Sequence, residues 1–280
     1  MDAASCWLCG APAQPAAELA PLPFAACPSC GFVFRPDLEA RELRDVYEQG
    51  HYERMGGERY AAELDERRRD ARVRLRWLRR HVRAGTLLDV GAATGAFVLE
   101  AGAAGFDARG LEPTPAFARQ ARTTLGVDVV EGTLEDARLD ESSLDVATMW
   151  HVLEHVREPL PQLDRVRRAL RPGGLLAIEV PNYGSEVARR QRAAWPSLEP
   201  KVHVNQFTPV TLRCALERVG LELAELGTVP ITPYLPLHGR LAPRHVAARA
   251  KAALWLHTPR ASHPSGHELL RAIARRPRAR

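Results

Sequence analysis

Four cysteines, two glycines, two carboxylates and two histidines hold the spacings in this 280-residue chain that can do chemistry. Leu87-Leu-Asp89-Val-Gly91-Ala-Ala93-Thr-Gly95-Ala-Phe97 reads as a strand, a tight turn and the start of a helix, and Ala108-Arg-Gly-Leu-Glu112 reads as the next strand ending in a carboxylate. Gly91 and Gly95 permit positive φ and let a ligand approach the main chain at the strand end. The helix that follows offers unpaired N–H groups and a positive dipole end to a carboxylate or phosphate. Glu112 is placed to accept hydrogen bonds from two ribose hydroxyls. The unit therefore fits an adenosine-containing cofactor, either a nicotinamide dinucleotide or S-adenosylmethionine. A dinucleotide turn reads G-x-G-x-x-G, whereas this one is G-x-x-x-G, which weakens the pyrophosphate reading. For the turn alone, a tight connection in an unrelated α/β protein is the bland alternative.

Ligands of open α/β sheets lie beyond the carboxyl ends of the strands. Asp89, Gly91, Ala93, Gly95, Glu112, Thr133, Leu134 and Trp150 are accordingly expected to converge on a cofactor, and the segment Trp150-His151-Val-Leu-Glu154-His155 borders the same crevice. A hydroxyl or amine acceptor needs a base to take its proton, and histidine has a suitable pKa. His151, directly after a strand, is the better placed catalytic candidate; otherwise it lines the pocket or orients the acceptor. The spacing H-x-x-E-H also permits a metal, but its place after a central strand argues against peptidase chemistry. A catalytic divalent metal is not expected.

Cys6-Trp-Leu-Cys9-Gly and Cys27-Pro-Ser-Cys30-Gly are two C-x-x-C-G knuckles, together able to present four thiolates to one tetrahedral ion. Four sulfurs close the coordination shell, which predicts structural zinc; a redox pair or an iron centre is the alternative.

These residues need a scaffold. Residues 1–36 are expected to form a zinc-knuckle module and residues 37–84 a helical linker or lid. Residues 85–280 are expected to form one α/β domain with a basic helical insertion at about 231–265. Leu64, Ala71, Leu75, Leu78 and Val82 recur at helical spacing, while Glu63, Arg67, Asp70 and Arg74 mark a charged face read as solvated. Strands near 87–90, 108–111, 127–131, 144–149 and 175–180 alternate with helices near 96–104, 115–124, 160–170 and 209–219, which predicts a doubly wound parallel sheet. Strands at 221–229 and 268–275 follow.

Net charge is +5, yet residues 239–280 hold ten Lys/Arg against the single acid Glu268. That asymmetry suits an anionic partner or a membrane surface, with a solvated arginine-rich end favoured instead. The basic amphipathic stretch Pro243–Leu256, with Trp255, allows weak membrane-surface association; packing on the sheet is favoured. The chain lacks an apolar run near the twenty residues that span a bilayer. No signal peptide is evident either, so a cytoplasmic location is expected.

Taken in order, Asp89-Val-Gly91 to Gly95, Glu112, Leu144-Asp-Val146, His151-Val-Leu-Glu154-His155, Leu170-Arg-Pro-Gly-Gly174 and Glu179-Val-Pro-Asn182 resemble the successive motifs of class I S-adenosylmethionine-dependent methyltransferases. The match covers roughly residues 85–230. It departs at Ala93, where the family usually has glycine, and at Thr133, where many members have aspartate. The resemblance implies a Rossmann-like seven-stranded sheet of order 3-2-1-4-5-7-6 with the last strand antiparallel. The resemblance also implies structural roles for Glu154 and His155. Related enzymes often place a cofactor-covering segment near Tyr47 and Tyr52, whose default reading here is packing, and a substrate-facing loop at 201–207, which makes His203 a second, weaker base candidate. The zinc-knuckle appendage resembles that of some sugar and natural-product methyltransferases. Ubiquinone-biosynthesis O-methyltransferases carry a related E-x-x-E-H segment associated with a divalent ion, and here His151 replaces its first glutamate.

The implied function is methyl transfer to a small-molecule acceptor (a sugar, quinone-like compound or secondary metabolite), with oxygen favoured. A ribosomal or transfer RNA methyltransferase is the alternative, and a non-catalytic nucleic-acid-binding zinc protein a third. Oligomeric state is left open.

Overall fold

The computed structural model describes residues 4–45, 63–230 and 267–278. Its main sheet comprises β4 (Gly85–Val90), β5 (Phe106–Glu112), β6 (Val129–Glu131), β7 (Leu144–Trp150), β8 (Leu170–Pro181), β10 (Glu222–Val229) and β11 (Leu269–Arg275). They lie in the order β10-β11-β8-β7-β4-β5-β6. Five strands run parallel, from β6 through β8, and β11 is antiparallel to both of its neighbours. This is the order 3-2-1-4-5-7-6 that the family resemblance implies.

The two faces are built by alternation. Leu87, Val146, Leu175, Ala177 and Ile273 point to a layer with Ala71, Leu75, Leu78 and Phe97, residues of α2 (Leu64–Leu78) and α3 (Ala96–Ala103). Leu88, Ala147, Leu176, Ile178 and Ala272 point the other way, to Leu163, Val166, Leu212 and Leu216 of α5 (Pro159–Ala169) and α7 (Pro209–Arg218). Strands buried on both faces read as continuous apolar runs, and that is why these segments stand out in the sequence. The α4 helix (Pro115–Gln120) passes into a π-helical turn, Ala121–Leu125, before β6. Thr208 caps α7 in a reciprocal capping box with Thr211, with Pro209 at the first helical position.

A second, four-stranded sheet takes the order β1-β2-β3-β9, from β1 (Gln14–Pro15), β2 (Ala25–Ala26), β3 (Val33–Phe34) and β9 (Asn205–Gln206). The N-terminal segment is too short to close an apolar core of its own. It finds one by pairing Val33 and Phe34 with Gln206 and Asn205 and packing Phe32 on Phe207, with ring centroids 5.4 Å apart. Neither β9 nor this docking is visible in local sequence pattern. The helical reading of 37–84 resolves into α1 (Ala40–Asp45) and α2. The lid tyrosines Tyr47 and Tyr52, and the basic stretch Pro243–Leu256, lie outside the described residues. Among the described residues, no helix is long and apolar enough to cross a membrane.

Candidate functional site

At the carboxyl ends of β4, β5 and β7 lies a cavity of about 530 Å³. Asp89, Gly91, Ala93, Glu112, Thr133, Leu134, Trp150, His151 and His203 all line it. Gly95 stands behind this wall. It caps α3 in a left-handed conformation, φ 80°. Both glycines also make room for packing. A Cβ on Gly91 (φ 72°) would come within 2.5 Å of the Val152 side chain, and one on Gly95 within 2.7 Å of Val127. Between them, Ala93 also takes a left-handed conformation, φ 47°, which accounts for the family's glycine at that position.

Glu112 ties the turn together. It is 4% exposed, and its carboxylate accepts the N–H of Ala93 and that of Thr114, each at 2.8 Å. A carboxylate has about four acceptor sites, so two bonds leave capacity for two hydroxyls. Burial raises its pKa against the pull of those N–H groups. Asp89 accepts the Thr148 hydroxyl at 2.6 Å. Burial pushes the Asp89 carboxyl up to about 7, against the Thr148 bond and the Arg74 charge, with Glu112 adding to the rise. A cationic ligand would restore its charge. Thr133 donates its hydroxyl to Asp136 at 2.6 Å, closing the loop after β6. Trp150 packs between Phe97 and Trp77, and its buried indole N–H finds no acceptor among the described residues.

The opposite wall corrects the reading of the charged face of α2. Arg67, Asp70 and Arg74 line the cavity, and Arg74 donates to Glu179 at 2.7 and 3.0 Å. Glu179, fully buried on β8, also accepts Arg271 from the adjoining position of β11 and pairs with His151 Nε2 at 3.2 Å. Burial opposes its ionisation, but Arg271, Arg74 and His151 hold it well below the ordinary glutamate range. His151 has φ 57°, and its Nδ1 lies 3.3 Å from Glu154. Burial disfavours its charge, yet the two glutamates outweigh that and raise its pKa to about 9. At neutral pH it is an imidazolium, a donor and a cation. His203 is buried, its Nδ1 2.8 Å from the Ser197 carbonyl and its ring edge-on to His155 at 4.6 Å.

Arg74, Glu179 and Arg271 join the site without being among the residues expected there. The signal was present: a lone acid in Leu175-Leu-Ala-Ile-Glu179-Val180 and a lone base in Leu269-Leu-Arg271-Ala-Ile273 interrupt otherwise buried strands, and buried charges need partners.

The two cysteine knuckles superimpose in pattern. Gly10 and Gly31 share φ 74°, and their N–H groups close onto the carbonyls of Cys6 and Cys27 at 2.9 and 2.8 Å. Cys6 and Cys30 sulfurs lie 3.6 Å apart, Cys9 and Cys27 sulfurs 3.4 Å, and all four fall within 4.8 Å of one another. The set is consistent with a zinc module.

Residues 60–226 match the family model described as a methyltransferase domain. The chain belongs to that family. A methyltransferase of Mycobacterium bovis is 34% identical over 99 residues, covering 34% of this chain and 39% of the relative. A protein of transposon Tn4556 in Streptomyces fradiae is 34% identical over 109 residues, covering 39% and 30%. The chain thus spans well under half the length of these curated relatives. An S-adenosylmethionine-dependent methyltransferase of Thermotoga maritima shares the fold, with TM-score 0.57 and 19% identity over 80% of this chain and 97% of that one. The chain thus joins a methyltransferase-family domain with a Rossmann-like seven-stranded sheet to an N-terminal cysteine cluster.

Proposed function

We propose that this methyltransferase transfers a methyl group from S-adenosylmethionine to a small-molecule acceptor, a sugar, quinone-like compound or secondary metabolite, with an oxygen atom favoured. One observation carries the reading: the cofactor turn, Glu112 and both candidate histidines line one cavity of about 530 Å³, within the range of small-molecule sites.

The residues present suit the cofactor. Glu112 has acceptor capacity left for the ribose hydroxyls, Asp89 supplies a buried carboxyl for a cation, and Leu134 offers an apolar wall. Thr133 and the backbone from Gly91 to Gly95 complete the binding set. S-adenosylmethionine, when bound, supplies an electrophilic methyl on a sulfonium. The protein's task is then to orient the acceptor in line and exclude water. His151, with one ring nitrogen facing Glu154 and the other Glu179, lines the pocket as a cation and orients the acceptor through its charge rather than removing a proton. A carbonyl can only accept, so His203 gives its Nδ1–H to Ser197 and keeps its lone pair on Nε2, to serve the acceptor either directly as a base or through a bound ion. The cysteine set holds structural zinc.

Incubation with methyl-labelled S-adenosylmethionine and fractionated small molecules, beside transfer RNA and ribosomal RNA, tests the acceptor class. Label in a small molecule supports the proposal; label in RNA alone contradicts it.

A further inference from the structure

Glu154, His155 and His203 each bring one donor atom within 4.8 Å of the others. Their surroundings prepare those atoms. His155 lies with Nδ1 3.1 Å from the Val202 carbonyl, and His203 with Nδ1 2.8 Å from the Ser197 carbonyl. Both rings must therefore donate from Nδ1, which places the lone pair of each neutral imidazole on Nε2. A histidine that hands its other N–H to a carbonyl is oriented as metal-ligating histidines are. Glu154 is 1% exposed; one oxygen faces His151, and the other is buried with no hydrogen-bond partner among the described residues. An ionised, buried oxygen left without a donor is costly unless something positive occupies the space beside it.

The two segments are held in register. Asn205 gives its backbone N–H to the Glu154 carbonyl at 3.0 Å, and its side chain donates to the carbonyls of Leu153 and Val156 at 3.0 and 2.6 Å. His155 and His203 both line the cavity.

We propose that Glu154, His155 and His203 bind one divalent transition-metal ion of the zinc class, with its open coordination face toward the acceptor half of the cavity. Two imidazoles and one carboxylate suit zinc, cobalt or iron rather than magnesium or calcium, and three protein ligands leave a position for water or substrate. The set departs from the one that H-x-x-E-H spacing suggests. His151 is committed to Glu154 and Glu179, and the third donor comes from the 201–207 segment. Glu154 and His155, read from sequence as structural, become ligands. Resting on the small-molecule methyl-transfer reading, the ion also gives His203 a different part, as ligand rather than base. An acceptor hydroxyl in the open position is held and acidified by the ion, and its proton leaves to water.

The test is a cobalt(II) titration of the full chain, purified with its cysteine site zinc-filled and then freed of loosely held metal, followed by calorimetry and visible absorption. We expect about one further ion per chain, with d–d bands and no thiolate-to-cobalt charge transfer. His155→Gln and His203→Gln, each checked for folding by near-ultraviolet circular dichroism, should weaken it about 100-fold or more. No further ion in the wild-type chain, a thiolate band, or undiminished binding in a folded variant would overturn the assignment. Cofactor affinity is read separately, so a failed metal site and a failed methyltransferase reading are distinguishable.

Discussion

Replacing Glu179 with glutamine removes one negative charge from a site that holds three positive ones. Glu179 is fully buried, Arg271 is 3% exposed and Arg74 16%, and His151 closes the cluster. The glutamine is nearly isosteric, so the cost is electrostatic: Arg271 stays buried without its counter-charge. Breaking a buried pair from one side costs about 3–5 kcal/mol, a large part of the ~5–15 kcal/mol that holds a typical domain folded. Urea denaturation of the full chain at neutral pH reads this directly. The same variant carries a pH signature. His151 is raised above its ordinary 6.5 to about 9, so its contribution to stability is present in full below 6.5 and is lost as pH rises through 9. Wild-type stability should therefore decline across that window, and Glu179→Gln should flatten the decline. A loss below about 1 kcal/mol, with the slope unchanged, would refute the network as the anchor of α2 over the cavity.

Glu112→Ala should weaken S-adenosylmethionine binding by about 1–3 kcal/mol, the worth of hydrogen bonds to a charged group; unchanged affinity in calorimetry removes Glu112 from the cofactor set. Asp89 titrates at about 7, so affinity for the cationic cofactor should rise as pH passes upward through 7, and Asp89→Asn should abolish that rise. A pH-independent wild-type affinity contradicts the role given to Asp89. Elemental analysis should find zinc in the cysteine site, lost in Cys27→Ser together with ordered packing of Phe32 and Phe34; a folded metal-free module would refute structural zinc.

Most of the sheet was legible because its strands are buried on both faces and its turns are marked by glycine and proline. The wall proposed for the cofactor was legible for the same local reason, since Asp89 to Gly95 and Glu112 sit within one βαβ unit whose geometry is nearly determined by spacing. The rest of the cavity was not. Arg74 lies on a helix face that looks solvated, and only the fold brings Glu179 and Arg271 beneath it. Residue type alone offers His151 as a base or a pocket-lining group, and only the fold brings up the two glutamates, from different elements, that raise its pKa. His203 and His155 meet across a separation of 48 residues in the chain, through Asn205, which no local pattern reveals. Docking of the cysteine module through β9 belongs to the same class of long-range pairing.

Isothermal calorimetry of the full chain against S-adenosylmethionine, S-adenosylhomocysteine and NADH decides which cofactor the cavity holds. Saturable binding of the first two, weakened in Glu112→Ala, is the predicted result. Tight binding of NADH with neither of the others would contradict it.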